Sequence, residues 1–180
     1  MRVVVTGDTH VPDFAQALPD ALVEAARRAD LVVHTGDATA PAVLDRLGAH
    51  TPVAAVAGNN DGADIRAWGA PNELLLDLDG IPTAIVHDAG SRTGRARRMR
   101  RRFPDARLVL FGHSHIPLDE DDGDLRLLNP GSPTWKRRQP APTFLILRLA
   151  RGRIEPRLVS LGRDGSEPGS RARRRKTSGG

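Results

Sequence analysis

Short apolar runs alternate with longer amphipathic stretches along the first third of the chain. "RVVVT" (2–6), "LVVHT" (31–35) and "PVAAVA" (52–57) read as buried strands. Between the first two, residues 14–28, "FAQALPDALVEAARR", read as a helix. Its second part is the stronger, with Leu18, Leu22, Ala25 and Ala26 on one face and Pro19 near a first turn. Residues 40–48 read as a second, shorter helix. The resulting β-α-β-α-β series predicts parallel strands with helices packed on the sheet.

The rhythm then changes. "ELLLDLDGIPTAIVH" (73–87) reads as two strands around Asp79-Gly80, a hairpin signal. Residues 92–102 read as a helix with Ala96, Met99 and the following Phe103 on one face and arginine elsewhere. "RLVLF" (107–111), "LRLLN", "TFLILRL" and "RIEPRLVSL" read as further strands, and the acidic run "DEDDGD" (119–124) as a solvated loop. The fold class expected is α/β. No internal repeat is visible, so residues 1–162 are expected to form one domain.

Charge changes this picture at one end only. The net charge is +5, and residues 163–180 carry six Lys/Arg and two Asp/Glu, a balance of +4, which leaves the other 162 residues at +1. A Gly/Ser/Arg-rich segment of this kind cannot bury a core, so 163–180 is expected to be a disordered basic tail. It offers weak contact to nucleic acid at most. The absence of cysteine excludes disulfides and thiolate metal sites. No stretch is apolar enough to span a membrane, and "MRVVVTGD" lacks a signal-peptide pattern, so a cytoplasmic location is expected. Oligomeric state is left open.

The polar residues at the strand ends carry the chemistry. Strand one ends in "GDTH" (Asp8, His10) and strand two in "GD" (Asp37). The third ends in "GNND" (Asn59), the hairpin's second strand in "VHD" (His87) and the later strand in "GHSH" (His113, His115). Glycine before most of them lets the backbone turn sharply. Ligands in α/β sheets bind at the carboxyl ends of strands. Singly, each residue is explained more simply as a cap, a turn or a satisfied histidine. Together, seven ligand-type side chains at five strand ends are not.

Four imidazoles, two carboxylates and one carboxamide, without thiolate, suit borderline divalent ions such as Mn, Fe, Zn, Ni or Co. Seven ligands exceed one tetrahedral site. They fit two ions about 3.5–4 Å apart with one bridging carboxylate, a site that binds a phosphate ester and lowers the pKa of a bridging water.

The ordered set "GDTH…GD…GNND…VHD…GHSH", followed by "NPGS" (129–132), resembles the calcineurin-like metallophosphoesterase superfamily, and within it the YfcE-like phosphodiesterases, which are related to the metal-site subunit of retromer. The resemblance implies two β-sheets flanked by helices. It also implies Asp8, His10 and His115 on a first metal, Asn59, His87 and His113 on a second, and Asp37 as the bridge. It implies that "NPGS" is structural. Manganese is the expected ion and a small phosphate ester the expected substrate, hydrolysed by a metal-bridging hydroxide.

Two positions depart from the pattern. Where the superfamily often has "GNH" this chain has "GNN", and the missing histidine is the usual phosphate contact and proton donor. Asn60 can contact a substrate phosphate but cannot supply a proton near neutral pH. Asp88 replaces the usual glycine after His87 and is expected to cap the segment after it, as Asp61 is expected to cap the next short helix. His34 is expected to be a buried, hydrogen-bonded histidine and His50 to be exposed. Trp68 and Trp135 fall in expected loops, where packing is the default role and stacking on a nucleobase or aryl group at the pocket the sharper one. The alternative to a phosphodiesterase is a catalytically weak or inactive interaction module that keeps the metal site, which an exposed apolar patch would favour.

Overall fold

The computed structural model describes residues 1–162, 165 and 166. The basic segment expected to be a tail therefore lies outside the described residues, apart from Gly165 and Ser166.

Among the described residues, fourteen elements alternate as the apolar runs suggest. The first half comprises β1 (Arg2–Thr6), α1 (Asp20–Arg27), β2 (Leu31–His34), α2 (Pro41–Gly48), β3 (Val53–Ala55) and α3 (Ala63–Trp68). Next come β4 (Glu73–Asp77), β5 (Pro82–Val86), α4 (Arg95–Arg102) and β6 (Leu108–Leu110). The last four are β7 (Leu118–Asp122), β8 (Leu125–Asn129), β9 (Thr143–Ala150) and β10 (Arg153–Ser160).

They form two mixed five-stranded sheets, ordered β10-β9-β1-β2-β3 and β4-β5-β6-β8-β7. The pairs β1/β2, β2/β3, β5/β6 and β6/β8 are parallel, and β1/β9, β9/β10, β4/β5 and β7/β8 are antiparallel. Alternation along β1 explains the layering. Val3 and Val5 face the second sheet, among Leu108, Leu110, Leu145 and Leu147. Val4 faces the opposite way, onto Leu22, Leu44 and Leu47 of α1 and α2. A third apolar layer packs Met99 and Phe103 on Ala84, Val109 and Leu127 across the outer face of the second sheet. The order is helix, sheet, sheet, helix. Each interior strand is covered on both faces, which is why the runs read as continuous rather than alternating.

The hairpin is a two-residue primed turn. Asp79 and Gly80 both have positive φ (57° and 79°), and Leu78 and Ile81 exchange backbone bonds of 3.0 and 3.1 Å. On α4 the apolar face is as expected, and several of its arginines are engaged. Arg100 pairs with Asp122 and Asp124, Arg102 pairs with Glu73, and Arg98 donates to the carbonyls of Thr93 and Ala89.

Three local expectations change. Helix α1 begins at Asp20, and residues 14–19 are not helical; Pro19 is its N-cap, and Phe14 is drawn onto Trp135 instead. The acidic run is not a loop. Leu118–Asp122 is the edge strand β7, with Asp119 paired to Arg126 and Asp122 to Arg100. Charge on an edge strand also discourages pairing with other chains. Trp68 closes α3 and donates to Asp45 at 2.8 Å. No helix among the described residues is long and apolar enough to cross a membrane.

Candidate metal centre

The ends of β1, β2, β3, β5 and β6 lie at one end of the two sheets, and the loops after them bring all seven candidate residues together. Asp8 and Asp37 are 0% and 2% exposed, and His10, His87 and His115 are buried beside them. Asn59 and His113 sit at the exposed rim.

Two groups of ligating atoms form. Asp8, His10 and His115 present atoms within 4.8 Å of one another, as do Asp8, Asp37 and His87. Asn59 joins the second group, its Oδ1 lying 3.0 Å from His87 Nε2 and 2.8 Å from His113 Nδ1. Asp37 stands between the halves, with Oδ2 3.6 Å from His10 Nε2 and 3.4 Å from His87 Nε2.

The surroundings set the tautomers. His115 Nδ1 donates to the Trp135 carbonyl at 2.6 Å, so its Nε2 lone pair points inward, 3.3 Å from His10 Nε2. His87 Nδ1 donates to the Thr35 carbonyl at 2.8 Å, turning its Nε2 toward Asp37 and Asn59. Backbone carbonyls orienting imidazoles in this way are a regular accompaniment of metal-ligating histidine. Asp8 Oδ2 is buried without a hydrogen-bond partner. Converging imidazole nitrogens and an unpartnered carboxylate oxygen suit a cation, so the residues present fit divalent metal.

The electrostatics agree. Burial pushes Asp8 up to about 7, against the opposing charge of His87. Burial also acts to raise Asp37, but the hydrogen bond and charge of His87, with two donors from Asn60, outweigh it and hold Asp37 below the usual carboxylate range. His87 is disfavoured by burial yet raised overall by Asp37 and Asp8. Burial lowers His115 to about 4, and lowers His10 as well.

The local backbone is strained. Asp8, His10, Asp37, His113 and His115 all adopt left-handed φ, between 46° and 67°. Each costs on the order of 1 kcal/mol or more in a residue with a Cβ. The expected role of the neighbouring glycines changes accordingly. Only Gly36 has positive φ, at 100°. Gly7 and Gly58 are needed for close approach, since a Cβ there would lie 2.0 Å from Thr35 Oγ1 and 2.1 Å from Asp37 Oδ1.

Asp61 does not cap α3, whose N-cap is Gly62 without a side-chain bond. Its buried carboxylate instead accepts the backbone N–H groups of Asp37 (2.8 Å), Gly58 (2.7 Å) and Thr39 (2.8 Å), clamping two strand-end loops. Sequence reading missed this because an Asp before a helix has the look of a cap. Asn60 donates to both oxygens of Asp37, from its backbone at 2.8 Å and its side chain at 2.7 Å. Asp88 caps locally, accepting from Gly90 N–H. His34 is fully buried; Nδ1 accepts from Gly36 N–H at 3.2 Å and Nε2 donates to Thr9 Oγ1 at 3.1 Å. His50 is exposed. In "NPGS", Asn129 donates to the Gly112 carbonyl and Ser132 to that of Asp8, both at 2.8 Å, tying the β1 and β6 loops.

Fold and site together define a metallophosphoesterase. The profile of the calcineurin-like phosphoesterase superfamily domain matches residues 1–152, and the chain belongs to that superfamily. It is 31% identical over 166 residues to a probable metallophosphoesterase of Methanothermobacter thermautotrophicus, covering 90% of this chain and 94% of that protein. The fold is similar to that of zinc-complexed Vps29 from Entamoeba histolytica (TM-score 0.71, 23% identity, 89% and 99% covered). It is also similar to that of an archaeal phosphodiesterase (TM-score 0.68, 20% identity, 88% and 100% covered).

The site's supports can be tested separately from its chemistry. Asp61→Ala removes three charge-assisted bonds to buried N–H groups, each worth roughly 1.5–3 kcal/mol. It is expected to lower unfolding free energy in urea by at least about 3 kcal/mol and to weaken metal uptake; an unchanged midpoint would contradict the clamp. Burial holds His34 neutral down to about pH 4, whereas the unfolded histidine takes its proton near 6.5. The unfolded state therefore binds more protons in that window, and folding stability falls as pH drops through it. His34→Gln, which keeps a donor toward Thr9, should lose less stability than wild type between those values, read by denaturant titration at each pH.

Proposed function

We propose that this chain is a two-metal phosphodiesterase, and the arrangement of Asp37 carries the reading. Its Oδ2 faces an imidazole of each group, as a carboxylate shared by two ions must. Asp8, His10 and His115 would hold the first ion. Asn59, His87 and His113 would hold the second. Two divalent ions there supply Lewis-acid charge and an activated water for attack on phosphorus. Manganese is the ion proposed, and the zinc complex of similarly folded Vps29 supports a divalent ion in this fold.

The chain's own residues do the rest. The Trp135 and Thr35 carbonyls hold His115 and His87 in the tautomers that offer Nε2. Asp61 fixes the loops that carry Asp37 and Asn59. Asn60, exposed at the rim, gives its backbone N–H and one amide hydrogen to Asp37 and would have its second amide hydrogen, which is not a transferable proton, for a substrate phosphate. Esters with good leaving groups are therefore the expected substrates. The similarly folded archaeal phosphodiesterase supports diesters over monoesters.

Two of the exposed large apolar side chains, Leu75 and Leu158, do not share a docking patch. Leu75 lies on β4, the edge of one sheet. Leu158 lies on β10, the edge of the other, and Arg126 of β8 bonds to the β10 backbone, which places β10 at the far side from β4.

The test is Mn-dependent hydrolysis of bis-p-nitrophenyl phosphate by the full chain, with bound metal counted by elemental analysis. Two ions per chain and steady turnover are expected, and Asp37→Asn should lower the rate by more than about 100-fold. Equal rates in the two proteins would defeat the site assignment. Bound metal without turnover under Mn, Ni, Co or Zn would select the interaction module instead.

A further inference from the structure

The Phe14 side chain offers no atom to a metal. It is 58% exposed, which alone would mean little. Its setting gives it meaning. Its ring lies parallel to that of Trp135, with centroids 3.9 Å apart and planes at 9°. Trp135 meets His115 edge-on at 5.1 Å and His10 at 5.4 Å, and Phe14 itself meets His10 edge-on at 5.5 Å. The Arg137 guanidinium lies 4.7 Å from the Trp135 ring centre. Phe14 already covers one face of the indole at stacking distance, so the guanidinium takes the other.

A three-layer stack of Phe14, Trp135 and Arg137 thus stands against the imidazoles of the first ligand group. The loops that carry the site also build the stack. Phe14 N–H donates to the His10 carbonyl at 2.8 Å, and the Trp135 carbonyl is the acceptor that orients His115. The outer face of Phe14 and the head of Arg137 are open to solvent. The charge of Arg137 is felt at Asp8, His10 and His115, so it lies within electrostatic reach of an anion held there.

We propose that this stack is a specificity subsite for a planar aromatic group, aryl or nucleobase, on the ester arm that a phosphodiester keeps after cleavage. The group stacks on the outer face of Phe14, and Arg137 adds positive charge for the phosphate it is attached to. This rests on the phosphodiesterase reading. An exposed π-face beside a cation is what single-stranded nucleic-acid proteins use to hold bases without regard to sequence. An aromatic stack meant only to shield the imidazoles would gain nothing from leaving its outermost ring in water.

The experiment compares substrates that share the p-nitrophenolate leaving group and differ in the retained arm: methyl, phenyl or thymidine 5′. Wild type should favour the phenyl or thymidine diester over the methyl diester by about tenfold or more in kcat/KM, mostly through KM. The better of the two identifies the aromatic class. Phe14→Leu keeps apolar bulk without a π-face and should reduce the preference to about threefold or less. Preference retained in Phe14→Leu, or absent from wild type, would overturn the subsite.

A binding arm does not depend on turnover. In Trp68→Phe, Trp135 is the sole tryptophan, and thymidine 5′-monophosphate should change its fluorescence saturably where methyl phosphate does not. Adding Phe14→Leu should abolish that response. The fluorescence response without hydrolysis of any diester would leave the subsite standing and the phosphodiesterase reading refuted. Hydrolysis with neither response nor preference would refute the subsite alone.

Discussion

Asp8 and Asp37 take two carboxylates into a protein interior, where an unpaired charge costs several kcal/mol. How that charge is compensated governs the architecture around it. Asp37 is met by His87 and by both donors of Asn60. Asp8 receives one bond from the His113 N–H and leaves its other oxygen unpartnered. Two sheets are needed to deliver these partners. β1, β2 and β3 come from one, β5 and β6 from the other, and the apolar layer of Val3, Val5, Leu108 and Leu110 fixes the distance between them. The site is thus a polar seam at one end of the inter-sheet core.

Strain is part of the cost. Five residues of ligand type hold left-handed backbone, and these conformations persist only when their surroundings over-determine them. The over-determination is visible. Asp8 N–H bonds to the Gly36 carbonyl and His10 N–H to that of Asp37, locking the β1 loop onto the β2 loop. Ser132 and Asn129 tie the same region to β8. Glycine could occupy the strained positions without penalty, but it carries no ligand. Glycine therefore stands one residue earlier, before Asp8, Asp37 and His113, where close packing requires it, and the turn falls to Asp and His.

Much of this was legible beforehand, for identifiable reasons. Val-rich runs marked interior strands because both faces of each sheet are covered, and Asp79-Gly80 marked a primed turn because few other pairs accept two positive φ values. The seven polar residues stood out by position at strand ends. What was hidden depended on tertiary partners. The acidic residues 119–122 became strand because β8 offered an open edge and Arg126 and Arg100 offered charge. Residues 14–19 lost their helix because Phe14 found Trp135, which lies 121 positions later in the chain. Asp61 looked like a cap, and only the meeting of two loops made it a clamp.

The same fold is found in a zinc-complexed Vps29 and in an archaeal phosphodiesterase, so fold alone does not separate a binding module from an enzyme. The separation has to come from what surrounds the ligand set. A metal site kept only as structure needs its imidazoles oriented and its carboxylates neutralised, and nothing more. Here the rim carries a feature that such a role leaves unexplained: an exposed ring and a guanidinium layered on Trp135 beside His10 and His115. An enzyme, unlike such a module, needs groups at the mouth of its site to choose a substrate, and the proposed stack would supply one.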